Sequence, residues 1–193
     1  MNSTTTNSLN IAVVTVSDTR TEDTDKSGAV LVSSLQAVGH KLSSKFIVRD
    51  DIYQLRAVIS SLIADKETQA VLMTGGTGFT ARDNTYAAIT PLFDLDIYGF
   101  GELFRQLSYE EIGSSTIQSR AFAGLANGTI VFCLPGSPGA CATGWDKIIV
   151  EQLDSSHKPC NFKWRRENIL EFSFSSRYTR NSVKKIIIKV LIA

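Results

Sequence analysis

No stretch of this 193-residue chain approaches the roughly 20 consecutive apolar residues that cross a bilayer, so a membrane-spanning protein is excluded. The polar start, Met1–Asn10, lacks the charged and apolar regions of a secretory leader. A soluble, cytoplasmic protein is therefore expected. Cysteine is scarce: Cys133, Cys141 and Cys160 show no C-x-x-C spacing, and His40 and His157 stand apart. This pattern argues against a disulfide framework or a zinc site and for a reducing compartment. The net charge is only +1, which argues against nucleic acid as the main partner.

Two nucleotide-binding signatures are also missing. A dinucleotide fold carries G-x-G-x-x-G after its first strand, but Ser17–Asp23 there is acidic and has no glycine. The glycine-rich segment Gly75–Ala81 is not followed by the Lys-Ser/Thr of a P-loop. Nicotinamide dehydrogenases and P-loop kinases are disfavoured.

What is present is an ordinary globular composition, 43% hydrophobic and 20% charged, with an uneven charge. From Lys163 onward eight basic side chains face two acidic ones, a net of +6 that leaves −5 for residues 1–162. Ile11–Ser17 is a continuous β-branched run, as in a strand buried on both faces. Ser27–Val38 has apolar residues at helical spacing, with Gly39 placed to cap it. Leu42–Val48 reads as a second strand. Asp50 or Asp51 can cap the helix whose apolar face is Ile52, Leu55, Ile59, Leu62 and Ile63. Ala70–Thr74 is the third strand. This βαβαβ alternation predicts a three-layer α/β/α fold with a mostly parallel sheet.

Further along, Thr85–Thr90 reads as a short helix, and Phe100–Glu111 as a helix with Leu103, Phe104 and Leu107 on one face. Ser114–Leu125 is another helical candidate. Thr129–Leu134 is a buried strand, and Pro135–Gly139 leads into a helix over Ala140–Leu153. Residues 1–8 are expected to be a disordered lead and 9–162 the domain. The basic extension 163–193 is left as two strands, a partner-binding arm or a poorly packed segment.

The glycines Gly75, Gly76 and Gly78 follow the third strand, where a backbone free of side chains can approach an anion and present N–H groups to it. Every other polar cluster also follows an apolar run, so one rim of the sheet is expected to carry the site. On that rim stand Ser17 and Asp18, Asp50, Thr77, the pair Arg82 and Asp83, and Pro135, Gly136 and Ser137 before a helix start. Each has a plain structural alternative: Asp83 as a helix cap, Arg82 as its ion-pair partner, the glycines as a tight turn.

In combination these residues resemble the MoaB/MogA family of molybdenum-cofactor biosynthesis proteins. The matching segments are Thr15–Asp18, Thr74–Gly78, Arg82–Asp83 with Thr85, Gly99–Glu102, Ser119–Arg120 and Leu134–Pro138. The segments Leu153–Asp154 and Lys158–Phe162 look closest to the bacterial MoaB branch. The resemblance implies an α/β fold assembled as trimers or hexamers, with other molybdenum-cofactor biosynthesis proteins as candidate partners. It also implies a reaction in which ATP and molybdopterin give adenylylated molybdopterin and pyrophosphate with Mg²⁺.

By the same resemblance Asp83 is expected to be catalytic and to hold the metal, and Asp50 to be catalytic. Glu102, Ser119 and Arg120 are expected to join the substrate site, Arg120 as an anchor for the pterin's terminal phosphate. Asn84 and Tyr86–Ala88 depart from the family's Val and Pro-Glu-Ala. A non-catalytic pterin-binding or scaffold member is the second hypothesis, and an unrelated phosphate-binding enzyme the third.

Overall fold

The computed structural model describes residues 8–162. The lead 1–7 and the extension from Lys163, with the expectations placed on them, lie outside the described residues. The elements in chain order are β1 (Asn10–Val16), α1 (Lys26–Ala37), β2 (Lys41–Val48), α2 (Ile52–Ala64), β3 (Ala70–Thr74), α3 (Thr85–Ile89), β4 (Leu95–Asp96) and α4 (Tyr98–Ile112). They are followed by β5 (Phe122–Ala126), β6 (Thr129–Leu134), α5 (Pro138–Gly144) and α6 (Val150–Leu153). A single π turn, Trp145–Ile149, joins the last two helices.

The sheet order is β2-β1-β3-β6-β5-β4. The first four strands run parallel, and β5 and β4 add an antiparallel end. Strand residues alternate between two apolar layers, as a period of two requires. Ile11, Val13, Leu72 and Phe132 pack against Leu31, Leu35, Phe104 and Trp145. Ala12, Val14, Val71, Met73 and Val131 face the other way, toward Leu55, Ile59 and Ile89. The result is the expected three-layer α/β/α fold, with an uninterrupted apolar run wherever a strand is covered on both sides.

Several expectations need correction. Ser114–Leu125 is not a helix: a 3₁₀ turn over Gly113–Gln118 gives way to β5, which pairs antiparallel with β6. The cause is the two-residue connection Asn127-Gly128, both with positive φ (48° and 78°), which favours a tight hairpin. Leu103 is 42% exposed; the buried stripe of α4 runs instead through Phe100, Phe104 and Ser108. That helix starts at Tyr98, two residues earlier than expected, so Glu102 lies in its second turn. The last helical segment begins at Pro138, capped by the Ser137 hydroxyl, which accepts from Ala140 N–H. Between the two candidates for the α2 cap, Asp51 takes the role, accepting from Tyr53 and Gln54 N–H at 3.0 and 2.9 Å. Asp50 is thereby left to face the rim.

Candidate functional site

In an open α/β sheet, a crevice forms outside the carboxyl ends of strands where the connection order reverses. Here β1 is followed on one side by β2 and on the other by β3, so the switch point lies between β1 and β3. The glycine loop sits at this point. Gly75 and Gly76 have φ of +102° and +63°, values that favour glycine. A side chain on Gly75 would run into the carbonyl of Val16, and one on Gly136 would come within 3.2 Å of the Gly75 Cα from the β6 side. One on Gly76 would meet Asp50 Oδ2 at 2.8 Å, and one on Gly78 would meet Asp83 Oδ2 at 2.9 Å. Glycine is thus what lets three loop ends and two carboxylates converge.

The convergence opens a cleft of about 580 Å³ lined by Val16, Gly75, Gly76, Thr77, Gly78, Asp83, Ser119, Pro135, Gly136 and Ser137 on one side. Phe104, Ser108, Glu111, Ile112, Ser115 and Gln118 line the other. Among the described residues, Asp83 and Glu111 are the charged side chains of this lining, and no Lys or Arg belongs to it. The cleft can receive an anion through backbone amides and through a cation brought with the ligand, but not through a basic side chain in its wall.

Asp83 is held locally: Oδ2 accepts from Thr80 N–H at 2.7 Å and from the Thr80 hydroxyl at 2.6 Å. Partial burial pushes its carboxyl up, but the Thr80 bonds, the Gly78 N–H and the Arg120 charge outweigh this and hold it below the usual carboxylate value. Asp50 goes the other way. Burial raises it most, and the charges of Asp83 and Asp18 raise it further, against hydrogen bonds from Asn84. Asn84 makes two of these ties, its N–H to Asp50 Oδ1 and its Nδ2 to Asp50 O, each at 3.0 Å. The residue that departs from the family pattern therefore joins the loop after β2 to the loop after β3.

Other rim residues are already engaged. Arg82 pairs with Asp18 rather than with Asp83, bridging the loops after β1 and β3. The Ser17 hydroxyl accepts from Arg20 N–H at 3.1 Å, and Ser119 Oγ from Ala121 N–H at 3.3 Å. The amide of Gly75 is used by Leu134 O at 3.0 Å. Arg120 donates to the carbonyls of Thr77 and Asp83. Glu102 is exposed on α4 and belongs to neither this cleft nor the neighbouring one of about 440 Å³.

Among the described residues no cluster of three or more His, Cys, Asp or Glu side chains is arranged to hold a metal. The donor set fits Mg²⁺ all the same, because this ion is commonly held by one or two carboxylates completed by phosphates and water. Asp83, kept ionised on the rim, is such a donor.

Sequence reading alone misses Thr80 and Glu111, and finds Asn84 only as a departure from the family pattern. Thr80 had a local signal, a threonine three residues before an aspartate, the spacing of side-chain-to-backbone turns. Glu111 had none, since its position depends on the hydroxyl of Thr143, 2.9 Å from both carboxylate oxygens and 32 residues away.

A family model described as "Probable molybdopterin binding domain" matches residues 12–155, the interval that contains the whole rim. The chain belongs to this molybdopterin-binding family. Among its members, molybdenum cofactor biosynthesis protein B of Escherichia coli K12 is 52% identical over 152 residues, covering 79% of this chain and 89% of that protein. The protein of the same name from Bacillus subtilis is 49% identical over 142 residues, covering 73% and 84%. A crystal structure of molybdenum cofactor biosynthesis protein B superposes with a TM-score of 0.75 at 44% identity, over 77% of this chain and 92% of the other. The tungsten cofactor synthesizing protein MoaB from Pyrococcus furiosus gives 0.67 at 38% identity, over 75% and 92%. The molybdopterin-binding family thus accounts for most of the described domain.

Proposed function

We propose that this chain acts in molybdenum cofactor biosynthesis, binding molybdopterin in the switch-point cleft and adenylylating it with ATP. A terminal phosphate oxygen of molybdopterin would attack the α-phosphorus of ATP; the new P–O bond forms as the α–β bond breaks, and pyrophosphate departs with the electron pair. The observation that carries this reading is Asp83, an ionised carboxylate fixed by Thr80 beside a glycine loop, in a cleft whose described lining holds no Lys or Arg. Mg²⁺, held by Asp83, would neutralise charge on the phosphates and the leaving group. The amides of the Gly76–Gly78 loop would orient phosphate oxygens, and Asp50, outside the cleft lining, would act from beside Gly76.

The acidic character of the lining also favours a second reading, a member that binds the pterin without turnover. Arg82 is paired with Asp18, and among the described residues no Lys or Arg lines the cleft to meet a triphosphate.

Pyrophosphate release from Mg-ATP with and without molybdopterin separates the two. Release that needs molybdopterin and falls at least about a hundredfold in Asp83→Asn supports transfer, since charge stabilisation by a metal is worth several kcal/mol. Binding of molybdopterin with no release sinks the enzymatic reading and leaves the binding one. We also propose that the protein works as a homo-oligomer, a trimer or hexamer.

A further inference from the structure

We infer that Arg120 is a positioning residue for this reaction: it clasps both ends of the 77–83 loop and so fixes where Asp83 is presented to the cleft. This rests on the adenylyl-transfer reading only for its kinetic consequence; the clasp itself is a property of the unliganded chain.

The glycine loop leaves β3, turns outward through Phe79–Arg82 and returns at Asp83. Its two ends are tied by one side chain from a distant part of the sequence. Arg120 Nε donates to Thr77 O at 3.3 Å and Nη2 to Asp83 O at 2.9 Å. The Arg120 backbone N–H adds a third bond, again to Thr77 O, at 3.2 Å. The guanidinium carbon lies 5.0 Å from the centre of the Phe79 ring and 5.7 Å from that of Tyr86, within the range of cation–π attraction. Phe79 is part of the loop and Tyr86 follows directly on it, so the plane of Arg120 is held on the structure that its edge ties together.

Position distinguishes this role from that of a phosphate anchor. Arg120 lines the 440 Å³ cleft on the far side of the loop, with Phe79, Tyr86 and Phe122, and is absent from the lining that contains Asp83. Its charge acts on the Asp83 carboxylate through the loop. A planar fork is needed for this geometry, since one guanidinium can reach two carbonyls at a fixed separation whereas a single ammonium cannot hold both in line.

The test compares wild type with Arg120→Lys and Arg120→Met, without ligand, by millisecond amide exchange, and then by steady-state kinetics. The clasp predicts that the amides of Thr80 and Asp83 exchange about tenfold or more faster in both variants, while those of β1, β3 and β6 are unchanged. It predicts that kcat falls about 10- to 100-fold with little change in KM for molybdopterin, as for a misplaced catalytic group. An anchor predicts the reverse: loop exchange unchanged without ligand, KM raised, and partial rescue by lysine. That result would overturn the inference. Should Arg120→Met fail to fold, Arg120→Lys gives the same exchange readout alone. If the wild type shows no turnover, the adenylyl-transfer reading falls while loop exchange still decides the clasp.

Discussion

Asp50 and Asp83 share a rim but have opposite proton affinities, and this makes their stability contributions separable. Asp83 is held below the usual carboxylate value, so its ionised form stabilises the fold above that value. The stabilisation is lost as the pH falls through the lowered folded-state pKa. Asp50 is raised, chiefly by burial, so at neutral pH its ionised form opposes folding. That opposition is relieved on acidification through its raised folded-state pKa. In metal-free protein at pH 7, Asp83→Ala is expected to lower the melting temperature, with about 1 kcal/mol lost from the Thr80 bonds, and the deficit should shrink toward pH 3. Asp50→Asn is expected to raise it, since an amide oxygen can still accept from Asn84 N–H, and the gain should shrink as the pH falls. Calorimetric scans across pH 3–8 decide the matter; parallel curves for the two variants would refute the assignment. The carboxylates were legible from sequence because each follows an apolar strand. Their division of labour was not, because it depends on how deeply the folded loops bury Asp50 and on the Thr80 bonds and Arg120 charge gathered at Asp83.

At the scale of elements, the parallel half of the sheet was readable because strands covered on both faces leave uninterrupted apolar runs, as in Ile11–Val16, Ala70–Thr74 and Thr129–Leu134. The antiparallel end was not. Strand β5 is Phe-Ala-Gly-Leu-Ala, rich in small residues, and Gly124 is where the ring of Phe93 packs. Its identity comes from pairing with β6, and the one local clue is Asn127-Gly128. Gly128 at φ +78° is therefore expected to be the weak point of that hairpin. Gly128→Ala should cost about 1–2 kcal/mol, the penalty of a side chain in the left-handed region. Urea denaturation checks this through the midpoint, with the slope unchanged if only the turn is strained. A variant as stable as wild type would show that the hairpin is held by β5–β6 packing and not by its turn.

For the molecule as a whole, the question is what covers the apolar side chains that the single chain leaves in water. Tyr98, Tyr109, Ile112 and Ile117 on α4 and the following 3₁₀ turn are 75%, 61%, 55% and 73% exposed, far more than their apolar character favours. They are not remote from the chemistry: Ile112 lines the cleft that holds Asp83, and Ile117 lines the cleft that holds Arg120. A second copy packed on this face would bury them and close the open side of the site, excluding water from the phosphates. Sedimentation of the full chain is expected to give a trimer or hexamer, and Ile112→Glu or Ile117→Glu to shift it toward monomer, since a stable contact needs about 800 Å² per partner. Such a variant should also lose pyrophosphate release although its Asp83, Asp50 and glycine loop are intact. A wild type that sediments as a monomer at assay concentration would refute the assembly. A charged variant that dissociates yet keeps full activity would show that one chain contains the whole site.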